Sequence, residues 1–364
     1  MSGQSLSGGA TGIALLHLEQ ARIGAAPWDS AFATLTDAVA DGVSTGMNAS
    51  LYHGAPALSF VLHGAADHAG LLHAKDTVDT ATVAIVEQRL KAAHERIDRR
   101  ERPKITEYDL ISGLTGLGVV VRRSGNDDLL RQILAYVVRL TEPIDGLPGW
   151  WTPDSYQRSK PAPPGGHSNH GLAHGITGPL TLLALTRNDG VEVDGQVLAI
   201  TRICEWLDQW EQDLDGRDLW WPKTVTLTEI ESGRPLQAQP HQPSWCYGTP
   251  GITRALHAAA RALGDDIRQE KVESALSDCL ADPAQLARLT ERNLCHGTGG
   301  VLTTARRIAA DARTHVDLAP ILTWHRHTPV SADEPSGFLT GAAGATLADL
   351  ATTATSWDAC LLLS

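Results

Sequence analysis

The feature that most restricts this chain is a short unit repeated along it: a Gly-x-x-Gly pair opening an apolar run of helical character. It occurs as Gly9-Ala-Thr-Gly12, Gly113-Leu-Thr-Gly116, Gly175-Ile-Thr-Gly178, Gly248-Thr-Pro-Gly251, Gly297-Thr-Gly-Gly300 and Gly341-Ala-Ala-Gly344. Gly54-Ala-Pro-Ala57 is a degenerate copy, and the first glycines lie 45, 59, 62, 73, 49 and 44 residues apart. A period near 45 residues holds two helices of roughly 12 to 15 residues and two loops, so the longer intervals contain insertions. The stretches between copies, such as Ala81–Leu90 and Leu129–Val138, carry apolar residues at helical spacing. Glycine permits φ > 0 and close backbone approach, which suits a tight loop entering a crowded inner helix. The expectation is an all-α fold in one domain over residues 1–364.

Two segments interrupt the pattern. Residues 141–168 contain Pro143, Pro148, Pro153, Pro161, Pro163 and Pro164 beside Trp150-Trp151, and read as a long surface excursion. Residues 217–244 include the β-branched, alternating run Trp220–Ile230 and a turn at Ser232-Gly233, which predicts a short β-hairpin leading into the next repeat.

Composition narrows the partners. Hydrophobic residues make up 42% and charged residues 20% of 364 positions, an ordinary globular balance. Lys+Arg at 30 against Asp+Glu at 42 leaves a net charge of −12. Such a surface repels phosphate backbones and anionic lipid, so neither nucleic acid nor membrane insertion is expected. No apolar run approaches the roughly 20 residues of a membrane helix. The start, MSGQSLSGGATG, lacks a basic n-region and an apolar h-region. Cysteines at 204, 246, 279, 295 and 360 are odd in number and scattered, which fits free thiols in a reducing cytoplasm.

Three of the glycine loops carry reactive neighbours: Trp245-Cys246-Tyr247-Gly248, Leu294-Cys295-His296-Gly297 and Leu172-Ala173-His174-Gly175. In a toroid of repeats, equivalent loops cluster at one end around the axis, so these side chains can converge from distant sequence. Two thiolates and one imidazole make a three-ligand zinc site with an open fourth position, the pattern of catalytic zinc. His63, His68 and His73, spaced by five, share no helical face and offer no such site. Cys204, Cys279 and Cys360 sit in apolar helical settings and read as buried residues.

The order and combination of these motifs, with Tyr108-Asp109-Leu-Ile-Ser-Gly113, resemble the lanthionine synthetase C-like (LanC) peptide cyclases along nearly the whole chain. The resemblance implies a double ring of seven inner and seven outer helices. It further implies zinc held by Cys246, Cys295 and His296, with Asp109, His174 and Trp245 lining the same site. Trp245, Tyr247 and Gln242 are expected to border the substrate. One position departs from the pattern: the family usually has Arg where this chain has Gln242. Its charge is then absent, or supplied as imidazolium by His174, or by a cation such as Arg158 or Arg234 in the excursions.

The implied reaction joins a peptide cysteine to the β-carbon of dehydroalanine or dehydrobutyrine, forming a (methyl)lanthionine thioether ring in a ribosomal precursor peptide. A free thiol is only about 3% ionised at pH 7, and metal binding removes that limit. His174 is the candidate acid for the α-carbon, with Asp109 orienting a histidine or handling the thiol proton. The residues also admit plainer roles: His174 satisfying a carbonyl, Asp109 capping a helix, Trp245 packing in the core. The expected partners are a dehydrated precursor peptide and a separate dehydratase and exporter. A glutathione-adding relative and a non-catalytic zinc-containing peptide scaffold are the competing functions. A glycan-processing toroid is disfavoured, because no paired carboxylates stand out in the loops.

Overall fold

The computed structural model describes residues 3–65, 68–155, 161–214, 218–350 and 353–364. Each glycine pair opens a helix: α1 (Ala10–Arg22), α3 (Ala55–Gly64), α6 (Leu114–Ser124), α8 (Thr177–Asn188), α11 (Thr249–Leu263), α14 (Thr298–Ala310) and α16 (Ala342–Asp349). These inner helices pack in chain order, and α16 returns to α1, closing the ring. They are buried nearly all round: every residue of α8 from Thr177 to Thr186 is buried. Their threonines are satisfied within the helix, as where the Thr181 and Thr253 hydroxyls donate to the carbonyls of Thr177 and Thr249 at 2.6 and 2.8 Å.

Six helices stand outside their inner neighbours: α2 (Trp28–Val39), α4 (Leu72–Asp98), α7 (Asp127–Leu140), α9 (Gln196–Gln209), α12 (Asp266–Ala281) and α15 (Ala319–His327). These are amphipathic. α7 buries Leu129, Leu130, Ile133, Leu134, Val137 and Leu140, a stripe at helical spacing that faces the ring. After α16 the chain makes a 3₁₀ turn, Trp357–Leu361, in place of a seventh outer helix. The end of the chain is drawn into the centre of the ring, where Leu361, Leu362 and Leu363 are buried. There the Tyr52 hydroxyl donates to the Cys360 carbonyl at 2.9 Å, and the Arg254 guanidinium to that of Leu363 at 2.9 Å.

The repeated glycines are explained by close approach. A Cβ on Gly12, Gly116, Gly251, Gly300 or Gly344 would overlap the carbonyl oxygen six residues earlier, at Leu6, Leu110, Trp245, Leu294 and Phe338 respectively. Each loop therefore folds back onto the first turn of its own helix, which only glycine allows.

Short elements complete the chain: α5 (Ile105–Tyr108), α10 (Leu227–Ser232), α13 (Pro283–Leu286) and strands β1 (His167–Asn169), β2 (Gln212–Leu214), β3 (Asp218–Trp220) and β4 (Thr224–Thr226). The hairpin expected over 220–230 is corrected. β3 pairs backward with β2, while β4 pairs antiparallel with β1, joining the two excursions in register His167↔Thr226 and Asn169↔Thr224. Residues 227–232 are helical because Thr226 and Glu229 form a capping box. Among the described residues, no helix is long and apolar enough to cross a membrane.

Candidate active site

Backbone hydrogen bonds between successive loops fix the site. Leu110 N–H donates to the Ala173 carbonyl at 3.1 Å, Ala173 to Cys246 at 3.5 Å, Cys246 to Cys295 at 3.2 Å, and Cys295 to Leu339 at 2.9 Å. Leu339 continues to Ser7 at 2.8 Å, and Leu6 to Tyr52 at 3.0 Å. The rosette places corresponding residues of each repeat side by side around the axis. It opens between the second and third loops, and there Arg89 of α4 staples the gap. Its guanidinium donates to the carbonyls of Met47 and Ala49, at 2.8 and 2.7 Å, and to that of Ser112. The inner helices start from these loops, so their partial positive ends favour anions there.

Cys246 and Cys295, separated by 48 intervening residues, meet in this rosette. The neighbouring Cys295 thiol draws the Cys246 thiol down to about 7, against a burial penalty, with Ser244 and His174 adding to the effect. Cys295 is pushed well up by the neighbouring Cys246 and by its own burial. Cys246 is therefore the more acidic thiol of the two. By contrast, Cys204 and Cys360 are driven up by burial, Cys204 to about 12.

Facing the thiols, the His174 Nδ1 lies 2.6 Å from Asp109 Oδ2. Asp109 is fully buried at the end of α5, and its other oxygen accepts the Ser112 N–H at 2.7 Å. The expected helix N-cap role is corrected: Asp109 ends α5, α6 is entered at Gly113 without a side-chain cap, and the Ser112 contact closes the turn between them. With Nδ1 committed, His174 has Nε2 left for the mouth, and its side chain is 44% exposed.

His296 is held differently. Its N–H donates to Asn293 Oδ1 at 2.9 Å, and its imidazole Nε2 rests 3.4 Å from Glu291 Oε2. Among the described residues, no group of three or more His, Cys, Asp or Glu side chains is arranged to hold a metal ion. The donor chemistry still suits a soft divalent cation: two contacting thiols, one already acidic, with an imidazole next in the chain to Cys295.

Of the residues expected at the substrate border, Tyr247 lines the site. Its hydroxyl accepts the Asn169 amide at 3.0 Å, and its ring lies so close that a Cβ on Gly171 would overlap it. Gln242 donates to the His296 carbonyl at 2.9 Å and so ties two site loops together. Trp245 is corrected. It is wholly buried, and its indole N–H donates to the Leu361 carbonyl at 2.8 Å, so it packs beneath the loops. Arg234 is exposed, and Arg158 lies outside the described residues.

Lys223 is a cation at the site that sequence reasoning missed. Its ammonium lies 4.3 Å from the centre of the Tyr247 ring. Lys223 carries no local signal, because its place depends on the long-range β1–β4 pairing.

An α/α toroid with paired thiols and a histidine–carboxylate couple at one mouth is the class defined by this architecture. Comparison with known proteins agrees. The lanthionine synthetase C-like protein profile matches residues 1–362, and the chain belongs to that family. It is 24% identical over 269 residues to the nisin biosynthesis protein NisC of Lactococcus lactis subsp. lactis. That alignment covers 72% of this chain and 62% of the relative, less than two thirds of its length. The solved structure of a nisin cyclase superposes with a TM-score of 0.80 at 20% identity, covering 100% of this chain and 92% of that one. At that identity the likeness establishes the fold.

Proposed function

We propose that this protein is a lanthionine-type cyclase, adding cysteine thiols of a dehydrated peptide to dehydroalanine or dehydrobutyrine residues of the same peptide. The observation that carries the reading is the Cys246–Cys295 pair, brought together opposite a preset His174–Asp109 couple. Family membership and the nisin-related relatives support the same chemistry. Cys246, Cys295 and His296 would hold zinc, His296 giving up Glu291 to do so. Zinc bound there would favour ionisation of an incoming thiol. Two cysteinate ligands would offset the charge of such an ion and leave an incoming sulfur much of its nucleophilicity.

The protein's own groups perform the remaining work. Asp109 fixes Nδ1 of His174, leaving Nε2 to take up the thiol proton or deliver one to the α-carbon. The site faces open solution, so a peptide segment can reach it from outside the ring. A dehydratase acting earlier supplies the substrate in this scheme, and an exporter would remove the product.

Ring closure leaves mass unchanged, so the test reads thiols. A peptide bearing one dehydroalanine and one downstream cysteine, incubated with zinc-loaded protein, is expected to lose its iodoacetamide-reactive thiol. Metal analysis is expected to find about one zinc per chain, with Cys295→Ala losing most of it. A thiol that persists at the uncatalysed rate overturns the cyclase reading. Wild-type protein without zinc after mild purification overturns the metal assignment. In a parallel incubation with glutathione added, an adduct formed in place of a ring, seen as added mass, assigns the competing activity.

A further inference from the structure

The excursions at 141–168 and 217–244 look dispensable in a toroid that closes without them. Their contacts show otherwise. β4 of the second excursion pairs with β1 of the first, which runs directly into the loop of His174. Next to that pairing, His170 fixes the backbone of two residues at once. Its N–H donates to the Lys223 carbonyl at 3.0 Å, and its ring Nδ1 lies 2.9 Å from the Pro222 carbonyl. The Trp206 indole holds the other ring nitrogen at 2.9 Å. Gln237 accepts the Lys223 N–H at 3.0 Å. The backbone of Lys223 is therefore set on both sides.

The Lys223 ammonium reaches over the ring of Tyr247, the residue that follows Cys246 in the chain. Among the described residues no carboxylate pairs with it. Another cation of the site, Arg89, is spent on three carbonyls. An ammonium held without a carboxylate, beside the sulfur centre, is free to meet a negative charge that forms only during reaction.

We infer that Lys223 is a catalytic residue, its ammonium binding the carbonyl oxygen of the dehydro residue as that oxygen becomes anionic. The inference rests on the cyclase reading above. The electron flow is explicit. A sulfur lone pair forms the C–S bond to the β-carbon, the C=C pair shifts to the Cα–carbonyl bond, and the carbonyl pair moves onto oxygen. Protonation at the α-carbon returns that pair. The net change is addition of S–H across C=C, and no oxidant or reductant is consumed. The charge on oxygen exists only between the two steps, which is where a fixed cation lowers the barrier without tightening substrate binding.

The test compares Lys223→Met, which keeps length and the packing on Tyr247, with Lys223→Arg, which keeps the charge. Ring closure is followed by thiol loss on the dehydroalanine–cysteine peptide, with zinc content and thermal midpoint measured alongside. Lys223→Met is expected to lower kcat on the order of 10²-fold while KM stays within about threefold. Lys223→Arg is expected to recover most of that loss, and both variants to keep wild-type zinc content and midpoint. Lys223→Met retaining more than half of wild-type kcat overturns the inference, as does Lys223→Arg matching the methionine variant. Lys223→Met shifting KM alone also overturns it, since the lysine then only binds. Wild-type protein that closes no ring removes the cyclase reading and this inference with it, so the two failures are distinct.

Discussion

Two of the histidine–carboxylate pairs among the described residues have the same ingredients and different surroundings. His174 and Asp109 meet at 2.6 Å where the loops open, with the imidazole 44% exposed and the carboxylate buried. His257 of α11 and Glu273 of α12 meet at 3.2 Å with neither side chain exposed. Asp109 accepts one backbone N–H on its spare oxygen. Glu273 accepts from Gln269, from the N–H groups of Arg313 and Thr314, and from the Thr314 hydroxyl, at 2.7 to 3.2 Å. Burial would raise the Glu273 carboxyl, but those donors outweigh it and hold it down. Burial drives His257 to about 4, so it stays neutral. One pair leaves an imidazole nitrogen facing open space beside the acidic thiol of Cys246. The other ties an inner helix, an outer helix and the 311–314 turn together. A histidine–carboxylate contact alone therefore carries no function; exposure and the remaining load on the carboxylate decide it.

Substitution at the open pair gives the largest separation. His174→Ala is expected to slow ring closure by roughly 10²- to 10⁴-fold, the range of a lost general acid or base. Zinc content is expected to stay at the wild-type value, while the thermal midpoint falls because the buried Oδ2 of Asp109 loses its partner. Release of metal from this variant would make His174 a ligand and erase the contrast with His257.

Asp109→Asn comes next, at about 10²-fold. The amide oxygen can still accept the Ser112 N–H, so the loop keeps its shape. The amide nitrogen then faces Nδ1 as a donor and forces the opposite tautomer, moving the proton to Nε2. Double substitution with His174→Ala is the sharper measurement: the losses are expected to be far from additive, because Asp109 acts through His174. Additive losses would show that Asp109 supports the site independently.

At the closed pair the effect moves from rate to stability. His257→Ala removes a packed ring and one hydrogen bond to Glu273, and is expected to cost about 2–3 kcal/mol in urea unfolding. Ring closure per folded molecule is expected to be unchanged. A rate loss without a stability loss would place His257 in the chemistry and end the comparison.

These two pairs also show what a sequence can disclose. The ring was legible because the glycine loops recur, and each recurrence reports the same steric need, the close carbonyl that Gly116 and Gly300 face. Cys246, Cys295 and His174 were legible for the same reason: repeats place equivalent loops together. What depended on non-repeating, long-range contacts was not legible. Lys223 reaches the site only because β4 pairs with β1 across 54 intervening residues. Trp245 sits beside Cys246 in the chain but is turned under the loops toward Leu361, near the far end of the sequence. The run 220–230 alternates like a strand, yet the capping box at Thr226 and Glu229 overrides that pattern for its second half.

The smallest expected effect is a change in slope. Burial lowers His167, His170 and His257 each to about 4, so in the folded chain they remain neutral well below the usual histidine range. In the unfolded chain the same rings protonate near pH 6.5. Between these values the unfolded state binds more protons than the folded one, so stability falls as pH falls. Above about pH 7 neither state carries the protons and the contribution is flat. Each histidine adds at most about 1.4 kcal/mol per pH unit to the slope. Urea midpoints measured from pH 7.5 to 5 are therefore expected to decline steadily on the acid side. In His257→Ala the curve starts lower and descends less steeply, by about one proton's worth, because one of the neutral rings is gone. The two curves converge toward pH 5. A variant curve parallel to wild type would mean that His257 takes up its proton in the folded state. Glu273 would then be half of an ion pair, and the closed pair would differ from the open one in exposure alone.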